Sequence, residues 1–157
     1  MLIHETAFVH PAAHLMGDVE IGAHSSIWPT AVLRGDMGKI IIGESTSIQD
    51  GTICHATSGW SETRVGHRVT VGHRVILHGC TVEDDCLIGM GSILLDNCVI
   101  GTGSFIGAGS LVTVGMVIPP GSLVMGSPAK IIRPVGDKEK AIIAASWVNY
   151  VENAKKY

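Results

Sequence analysis

The stretch VGHRVTVGHRVILHG, residues 65–79, contains the pentapeptide VGHRV twice at a spacing of six residues, together with three histidines. A spacing of six matches neither the 3.6-residue period of a helix nor the two-residue period of a simple strand. The stretch therefore raises two questions: which structure repeats every six residues, and whether its histidines bind a metal.

The six-residue spacing extends over most of the chain. Small apolar residues recur in sixes with two long gaps and one five-residue step, and Gly, Ala or Ser often stands beside them. We call these positions the index residues: Val9, Leu15, Ile21, Ile27, Leu33, Ile42, Ile48, Cys54, Val65, Val71, Leu77, Val82, Ile88, Leu94, Ile100, Ile106, Val112, Ile118 and Val124.

The composition agrees with a core of thin repeated layers. The 157 residues are enough for one domain with a sizeable core. Hydrophobic content is 46%, aromatic content is only 4%, and 20 glycines without a collagen triplet indicate many tight corners. The net charge of −3 gives no reason to expect a nucleic-acid partner, and no apolar run is long enough to span a bilayer.

The N-terminus and the cysteines predict a cytoplasmic protein. The first residues, MLIHETAFVHPAAH, lack the basic start and apolar segment of a signal peptide. In the cytoplasm, Cys54, Cys80, Cys86 and Cys98 would stay reduced. No CxxC pair occurs, so a four-thiolate zinc site is not expected. We expect Cys54 in the core and Cys80 at the surface or in an interface.

In its six-residue pattern, over roughly residues 8–126, the chain resembles the hexapeptide-repeat proteins, whose fold is a left-handed parallel β-helix. In that fold each hexad is one short strand and a corner, and three hexads make one triangular turn. The handedness comes from the resemblance, because general rules for parallel strands predict a right-handed crossover. We therefore expect an all-β fold, a left-handed parallel β-helix of hexapeptide repeats, over residues 1–134.

The tail GDKEKAIIAASWVNYVENAKKY, residues 136–157, has a helical pattern instead. Asp137 can cap a helix. We expect residues 135–157 to form a C-terminal α-helix that packs on the β-helix or on a neighbouring subunit. Its apolar stripe would consist of Ile142, Ile143, Trp147, Tyr150, Val151 and Ala154.

The index residues divide among three faces. If Leu33 lies on the first face, Ile42 lies on the second and Ile48 on the third, and Cys54 returns to the first. Both long gaps follow a first-face residue, so two loops should project from the same edge. Such loops are where a repeat fold usually carries its function.

His55 and His78 each directly follow a first-face index residue. Index residues point inward, so the residue after each one points outward. The two histidines should therefore stack one turn apart, at about 4.8 Å, which suits two ligands of one metal. Arg34 occupies the same column.

His73 lies two residues after the third-face residue Val71, and Gln49 and Asp50 also follow a third-face index residue. His73 should therefore not reach the same metal within one chain. A homotrimer would bring the third face of one subunit against the first face of the next. Three imidazoles with an open fourth position form a zinc site of the catalytic type.

Three longer stretches are similar to the gamma-class carbonic anhydrases and their bacterial homologues of the phenylacetate-degradation and carnitine-operon types. The stretches are LRGDMGKIIIGESTSIQDGTICHATS, VGHRVILHGC and GSPAKIIRPV. They contain RGD, then IQDG, then a histidine, then GHxxxxHG. The resemblance implies reversible hydration of carbon dioxide to bicarbonate by a metal-bound hydroxide at a trimer interface. Zn²⁺ is the expected metal, with Fe²⁺ or Co²⁺ as alternatives.

The same resemblance implies roles for individual residues. The metal ligands would be His55, His73 and His78. Arg34 and Asp36 would form an interfacial pair that orders the site. Gln49 would position metal-bound water or bicarbonate, with Asp50 as its polar partner. Tyr150, in the C-terminal helix, would approach the metal.

One departure from the family concerns proton release. The founding archaeal enzymes carry an acidic loop with a glutamate that carries the proton. Here the corresponding loop, ATSGWSETR at residues 56–64, contains only one carboxylate, Glu62. A slow enzyme is therefore expected.

Two other functions stay open at this point. The segment GSPAKIIRP resembles the turn beside coenzyme A in hexapeptide acyltransferases, so an acyltransferase or thioesterase acting on acyl-CoA is one alternative. A non-catalytic metal-binding trimer is the other. His67, which repeats the position of His73 one face earlier, is expected to be a surface residue.

Overall fold

The strands of the protein stack into a parallel β-helix with three faces. The structure is a computed structural model that describes residues 1–157, and its coils make about seven turns. Most strands are only two or three residues long, since each hexad uses its other residues to turn a corner. In chain order the elements are β1 Leu2–Ile3, β2 Phe8–Val9, β3 His14–Ile21, β4 Ser26–Ile27, β5 Val32–Ile42, β6 Ser47–Ile48, β7 Ile53–His55, β8 Thr63–Val65, β9 Thr70–Val71, β10 Ile76–His78, β11 Thr81–Val82, β12 Leu87–Ile88, β13 Ile93–Leu94, β14 Val99–Ile100, β15 Phe105–Ile106, β16 Leu111–Val112, β17 Val117–Ile118, β18 Ser122–Met125, β19 Lys130–Pro134 and α1 Asp137–Ala154.

Each face is a column of parallel strands in which the index residues are neighbours. On the first face Leu33 pairs with Cys54, and Cys54 pairs with Leu77. The second and third faces repeat this arrangement. The three faces inferred from the six-residue spacing are therefore confirmed, as is a parallel β-helix of hexapeptide repeats with a C-terminal α-helix.

The edge between the first and second faces differs from the prediction at the first long gap. The strands β3 and β5 run continuously around this edge and pair with each other, so residues 33–42 do not form a loop. Glycine permits this close approach, because a Cβ at Gly35 would lie 2.3 Å from the carbonyl oxygen of Asp18. Only residues 56–62, between β7 and β8, project as a loop.

Most corners contain a residue with positive φ three positions before the next index residue. Glycine adopts this conformation at no steric cost, as at Gly51 with φ of 70°. Other corners hold Arg68 at 54° or Asn97 at 58°, although αL backbone costs an L residue roughly 1–2 kcal/mol. The corner shape therefore follows from the repeat, which imposes the same backbone on different residue types.

The interior is one continuous column of small apolar side chains. Index residues such as Leu33, Ile48 and Leu77 are fully buried, and each such side chain contributes about 1.5–3 kcal/mol. All four cysteines are unpaired and buried. The prediction for Cys80 was wrong, because Cys80 stands two residues before the index residue Val82, a position that also faces the interior at Val75 and Cys86, and it is 0% exposed.

Helix α1 packs along the third face of its own β-helix, over β4, β6 and β9. Its N-cap is Gly136, so Asp137 is the first helical residue instead of the expected cap. Glu139 accepts a hydrogen bond of 2.7 Å from the Gly136 N–H and satisfies one free donor at the helix start. Ile143 is buried against the β-helix, whereas Ile142 is 47% exposed and lies outside the packed stripe. The chain contains no helix that combines the length and the apolar character needed to cross a bilayer.

Candidate metal centre

His55 and His78 lie side by side on the first face. Strands β7 and β10 pair in register, so that His55 is directly opposite His78. Nδ1 of His55 lies 3.3 Å from Nε2 of His78, and the two ring centroids are 5.2 Å apart. The repeat alone therefore brings two imidazole nitrogens to a common point within one chain.

This separation fits two ligands of one metal ion. Zinc–nitrogen bonds of about 2.0–2.1 Å in tetrahedral geometry place two ligand nitrogens roughly 3.3–3.4 Å apart. Without a cation, two imidazole lone pairs in this position need a proton between them. Neutral imidazoles are ligands that zinc, iron and cobalt all accept.

Two carboxylates hold the other nitrogens of these rings. Oδ1 of Asp36 lies 3.1 Å from Nε2 of His55, and Oδ2 of Asp96 lies 3.0 Å from Nδ1 of His78. A neutral imidazole that donates its N–H to a carboxylate has a lone pair on its other nitrogen. Both rings can therefore direct a lone pair to the point between them.

Hydrogen bonds keep both carboxylates ionised. Desolvation raises the pKa of Asp36 and of Asp96, but donors outweigh it, chiefly Arg34 at Asp36 and Ser61 at Asp96, with the histidines second. The pKa of each carboxyl group therefore lies below its ordinary value. Two anionic groups behind two neutral donors favour a divalent cation.

Arg34 reaches both Asp36 and the point between the histidines. Its Nη1 donates to Oδ2 of Asp36 at 2.6 Å, and its Nη2 lies 3.4 Å from Nδ1 of His55. The second contact is long for a hydrogen bond, and a cation between the histidines would compete with it. We call Arg34, Asp36, His55, His78 and Asp96 the first-face group.

His73 lies at a different corner, between the third and first faces. Its Nδ1 is 3.0 Å from Oδ2 of Asp50, and both side chains are 46% exposed. Gln49, next to Asp50, is buried. Tyr150 packs edge-on against Trp28, and burial followed by the Asp50 charge raises its pKa. We call Gln49, Asp50, His73 and Tyr150 the third-face group.

The two groups do not meet within one chain. No three histidine, cysteine or acidic side chains lie close enough together to hold a metal ion. His67 belongs to neither group, since its Nδ1 accepts a hydrogen bond of 3.0 Å from the backbone N–H of Glu44. The residues singled out from the sequence therefore form two partial sites on one chain.

Sequence reasoning alone does not single out Asp96. This residue lies two positions after the first-face index residue Leu94, in the column that Ala56 and Gly79 occupy in earlier turns. That position places Asp96 one turn beyond His78. The six-residue repeat thus gives the column in which Asp96 lies, but it does not show that the Asp96 side chain contacts His78.

Comparison with known proteins agrees with this architecture. The profile of the family described as bacterial transferase hexapeptide (six repeats) matches residues 1–35 and 79–113. The chain is 44% identical to protein YrdA of Escherichia coli strain K12, over 99% of this chain and 88% of YrdA. It is 45% identical to the mitochondrial gamma carbonic anhydrase 2 of Arabidopsis thaliana over 98% of this chain, but it spans only 57% of the length of that relative.

Among solved structures, a Bacillus cereus protein provisionally described as an acetyltransferase matches with a TM-score of 0.95 and 43% identity, over 99% of this chain and 90% of that one. Fold, repeat and relatives together define a hexapeptide-repeat β-helix protein. Within that class, the chain belongs to the gamma-class carbonic anhydrase family, which includes bacterial homologues such as YrdA.

Proposed function

We propose that this protein catalyses the reversible hydration of carbon dioxide to bicarbonate at a metal site shared by two subunits of a homotrimer. The proposal rests on His55 and His78, whose nitrogens lie 3.3 Å apart, each ring with a carboxylate on its other nitrogen. A relative named gamma carbonic anhydrase supports the same reaction. The proposed location is the cytoplasm, where the unpaired cysteines stay reduced.

A second copy of the chain would supply the third ligand. His73 is 46% exposed at its corner, and a threefold rotation can set that corner against the first-face group of a neighbour. The first face also carries a column of outward apolar side chains, of which Ile53 is 43% exposed and the others are partly buried, and exposed apolar patches mark interaction surfaces. The column consists of Val32, Ile53, Ile76, Ile93 and Leu111.

Zn²⁺ is the proposed metal, with Fe²⁺ or Co²⁺ as alternatives. His55 and His78 of one copy and His73 of the next would hold it. When bound, such an ion supplies Lewis acidity that lowers the pKa of coordinated water to about 7.

The side chains around the ligands orient them. Asp36 holds the ring of His55, and Asp50 holds the ring of His73 in the same way. Arg34 keeps Asp36 ionised, as the lowered pKa of that carboxyl group indicates. Each carboxylate accepts a ring N–H, which fixes the orientation of the ring and, in its neutral form, leaves the lone pair on the nitrogen that would face the metal.

Substrate contact and proton release fall to different residues. Gln49 and Tyr150 belong to the third-face group, and we propose that they hydrogen-bond the oxygens of bicarbonate. The proton would leave to solvent or buffer, because the single loop carboxylate, Glu62, is bound to Arg64. A slow turnover is the expected consequence.

Acyl transfer is the second candidate. The Bacillus cereus structure at 43% identity is provisionally described as an acetyltransferase, and residues 126–134, GSPAKIIRP, resemble a turn beside coenzyme A. That chemistry needs one histidine as a general base, and it does not require two imidazole nitrogens at a shared point.

Stopped-flow measurement of carbon dioxide hydration, with metal analysis of the same anaerobically purified sample, tests the proposal. Hydration activity should follow metal content, disappear on chelation and return with added Zn²⁺ or Co²⁺. Acetyl transfer from acetyl-CoA that is insensitive to chelation and to His55→Ala would instead support the second candidate.

A further inference from the structure

We infer that Asp96 is a positioning residue that sets the tautomer and orientation of His78, and that Ser61 holds Asp96 in place from the loop at residues 56–62. The inference rests on the proposed function, because it concerns one ligand of the proposed metal site. Neither Asp96 nor Ser61 lies in the motifs RGD, IQDG or GHxxxxHG.

Both carboxylate oxygens of Asp96 have a partner. Oδ2 lies 3.0 Å from Nδ1 of His78, and Oδ1 accepts a hydrogen bond of 2.5 Å from the Ser61 hydroxyl. Because an ionised carboxylate only accepts hydrogen bonds, Nδ1 of His78 carries the proton. In the neutral ring, Nε2 then has the lone pair that faces His55.

Ser61 connects this contact to the loop. Its Oγ accepts a hydrogen bond of 3.0 Å from the backbone N–H of Thr57 while it donates to Asp96. The hydrogen bonds thus run without a break from the loop backbone to the ring of His78. The conformation of the loop and the orientation of the ring are linked through one carboxylate.

Asp96 differs from the other two carboxylates by its burial. Its side chain is 10% exposed, compared with 40% for Asp36 and 46% for Asp50. Water can replace a lost partner at an exposed carboxylate, whereas a buried group that loses its partner stays unpaired. The orientation of His78 therefore depends on its hydrogen bond to the buried Asp96. At Asp36 and Asp50, which are more exposed, water can replace the histidine partner if the ring moves away.

Gly79 leaves room for the contact between Asp96 and Ser61. A Cβ at position 79 would lie 2.2 Å from Oδ1 of Asp96 and 2.2 Å from Oγ of Ser61. Any larger residue after His78 would push the two side chains apart. The last glycine of the GHxxxxHG motif, Gly79, is thus required because any side chain there would clash with Asp96, one turn away.

The test measures zinc affinity and the tautomer of His78 in parallel. Zinc is titrated in competition with a chelator, and the imidazole nitrogens of the metal-free protein are observed by ¹⁵N NMR. Asp96→Ala should weaken zinc binding about 10–100-fold and move the His78 proton away from Nδ1. Asp96→Asn keeps an acceptor oxygen and should lose less, and Ser61→Ala, which leaves the carboxylate, should lose least.

Asp85→Asn is the matched control. Asp85 is also a corner aspartate, but it pairs with Arg68 and has no histidine partner. Zinc affinity and the His78 tautomer should both be unchanged in this variant. A similar loss in Asp85→Asn would mean that any corner carboxylate supports the site through general stability, and the inference would be wrong.

The inference also fails if Asp96→Ala binds zinc as tightly as the unmodified protein and keeps the proton on Nδ1. Should Asp96→Ala not fold, unchanged affinity and tautomer in both Asp96→Asn and Ser61→Ala lead to the same conclusion. His78→Ala separates this result from the proposed function. If that variant keeps its zinc, the proposed metal site is wrong, whereas the tautomer in the metal-free protein still decides the role of Asp96.

Discussion

The first-face group and the third-face group both contain histidine paired with aspartate, but the chain holds these pairs to different degrees. His55 and His78 stack across paired strands, and each has a carboxylate partner within the chain. His73 has only Asp50, and both of these side chains are 46% exposed. One group is therefore preorganised by the β-helix, and the other is open to a neighbour.

This difference follows from the geometry of the repeat. A β-helix aligns residues one turn apart at the spacing between strands, so it brings two ligands on one face together without further help. Two corners of the same triangle cannot approach each other in this way. A site that combines His55 and His78 with His73 therefore requires a second copy of the chain, and the proposed homotrimer would supply it.

The largest expected effect is the loss of metal when either group loses a histidine. His55→Ala, His73→Ala and His78→Ala should each weaken metal binding by at least about 100-fold, more than the 10–100-fold typical of outer partners. Metal analysis after dialysis measures this loss. His67→Ala is the control, because His67 occupies the same position as His73 in the other copy of VGHRV but belongs to neither group. If His67→Ala loses metal and His73→Ala keeps it, the third-face group is misassigned.

Mixed trimers test directly whether the two groups meet between chains. His73→Ala and His78→Ala subunits, each inactive alone, should regain part of the activity when they assemble together. Some interfaces then combine an intact first-face group with an intact third-face group. Mass spectrometry confirms that mixing occurs. No recovery in proven mixed trimers would mean that one chain supplies all three ligands.

The apolar column on the first face should matter for assembly more than for folding. Ile76→Asp places a charge in the proposed interface and should dissociate the trimer, with loss of metal, while the thermal unfolding of the monomer changes little. Val117→Asp is the control, because Val117 is 65% exposed on the second face. Sedimentation measures both variants. An Ile76→Asp protein that stays trimeric would place the interface elsewhere.

A smaller effect is expected from the loop beside the first-face group. Glu62 is bound to Arg64 on the surface, so Glu62→Gln should change kcat by less than about twofold, and imidazole buffer should accelerate the unmodified protein as a mobile base. If instead kcat falls more than kcat/KM and imidazole restores it, Glu62 carries the proton. Stopped-flow rates at several buffer concentrations distinguish the two outcomes.

The smallest effect concerns the start of α1, which covers the third face. Hydrogen bonds from Arg133 and the Gly136 N–H lower the pKa of Glu139 from 4.5 to about 2. A lowered folded-state pKa contributes stability above the unfolded-state value, and this contribution is lost as pH falls toward the folded-state value. The difference in unfolding free energy between the unmodified protein and Glu139→Gln should therefore be constant above pH 5 and shrink between about pH 4.5 and 2. Urea unfolding at several pH values measures it, and a difference that stays constant from pH 5 down to pH 2 would contradict the prediction.

Most of the fold was predictable because one energetic term repeats. Burial of an apolar residue at every sixth position defines the strand, the corner and the face at once, so counting from Leu33 to Cys54 and Leu77 was enough. The count failed where a local contact replaced the rule. Residues 33–42 form a continuous strand because Gly35 allows two coils to approach. Cys80 instead follows the repeat, since it stands two residues before the index residue Val82, where Val75 and Cys86 are also buried in their hexads.

The candidate site was predictable in its parts. Register placed His55 opposite His78 and put His73 at another corner, and the resemblance added Arg34 and Asp36. The catalytic roles, and the division of the chain at residues 134 and 135, stay predictions. Asp96 and Ser61 lay outside sequence reasoning, because the period places a residue in a column and on the inner or outer side but does not specify its rotamer or its hydrogen-bond partner.

The sequence by itself determined which face and turn each histidine occupies, because register in a β-helix follows from counting residues. Only the tertiary structure decided which partners hold each ring. The contact between His78 and Asp96 joins residues in successive turns, and the contact between Asp96 and Ser61 joins a strand end to a loop. Such hydrogen bonds depend on the rotamer, on burial and on the space left at Gly79, and these exist only once the coils have stacked.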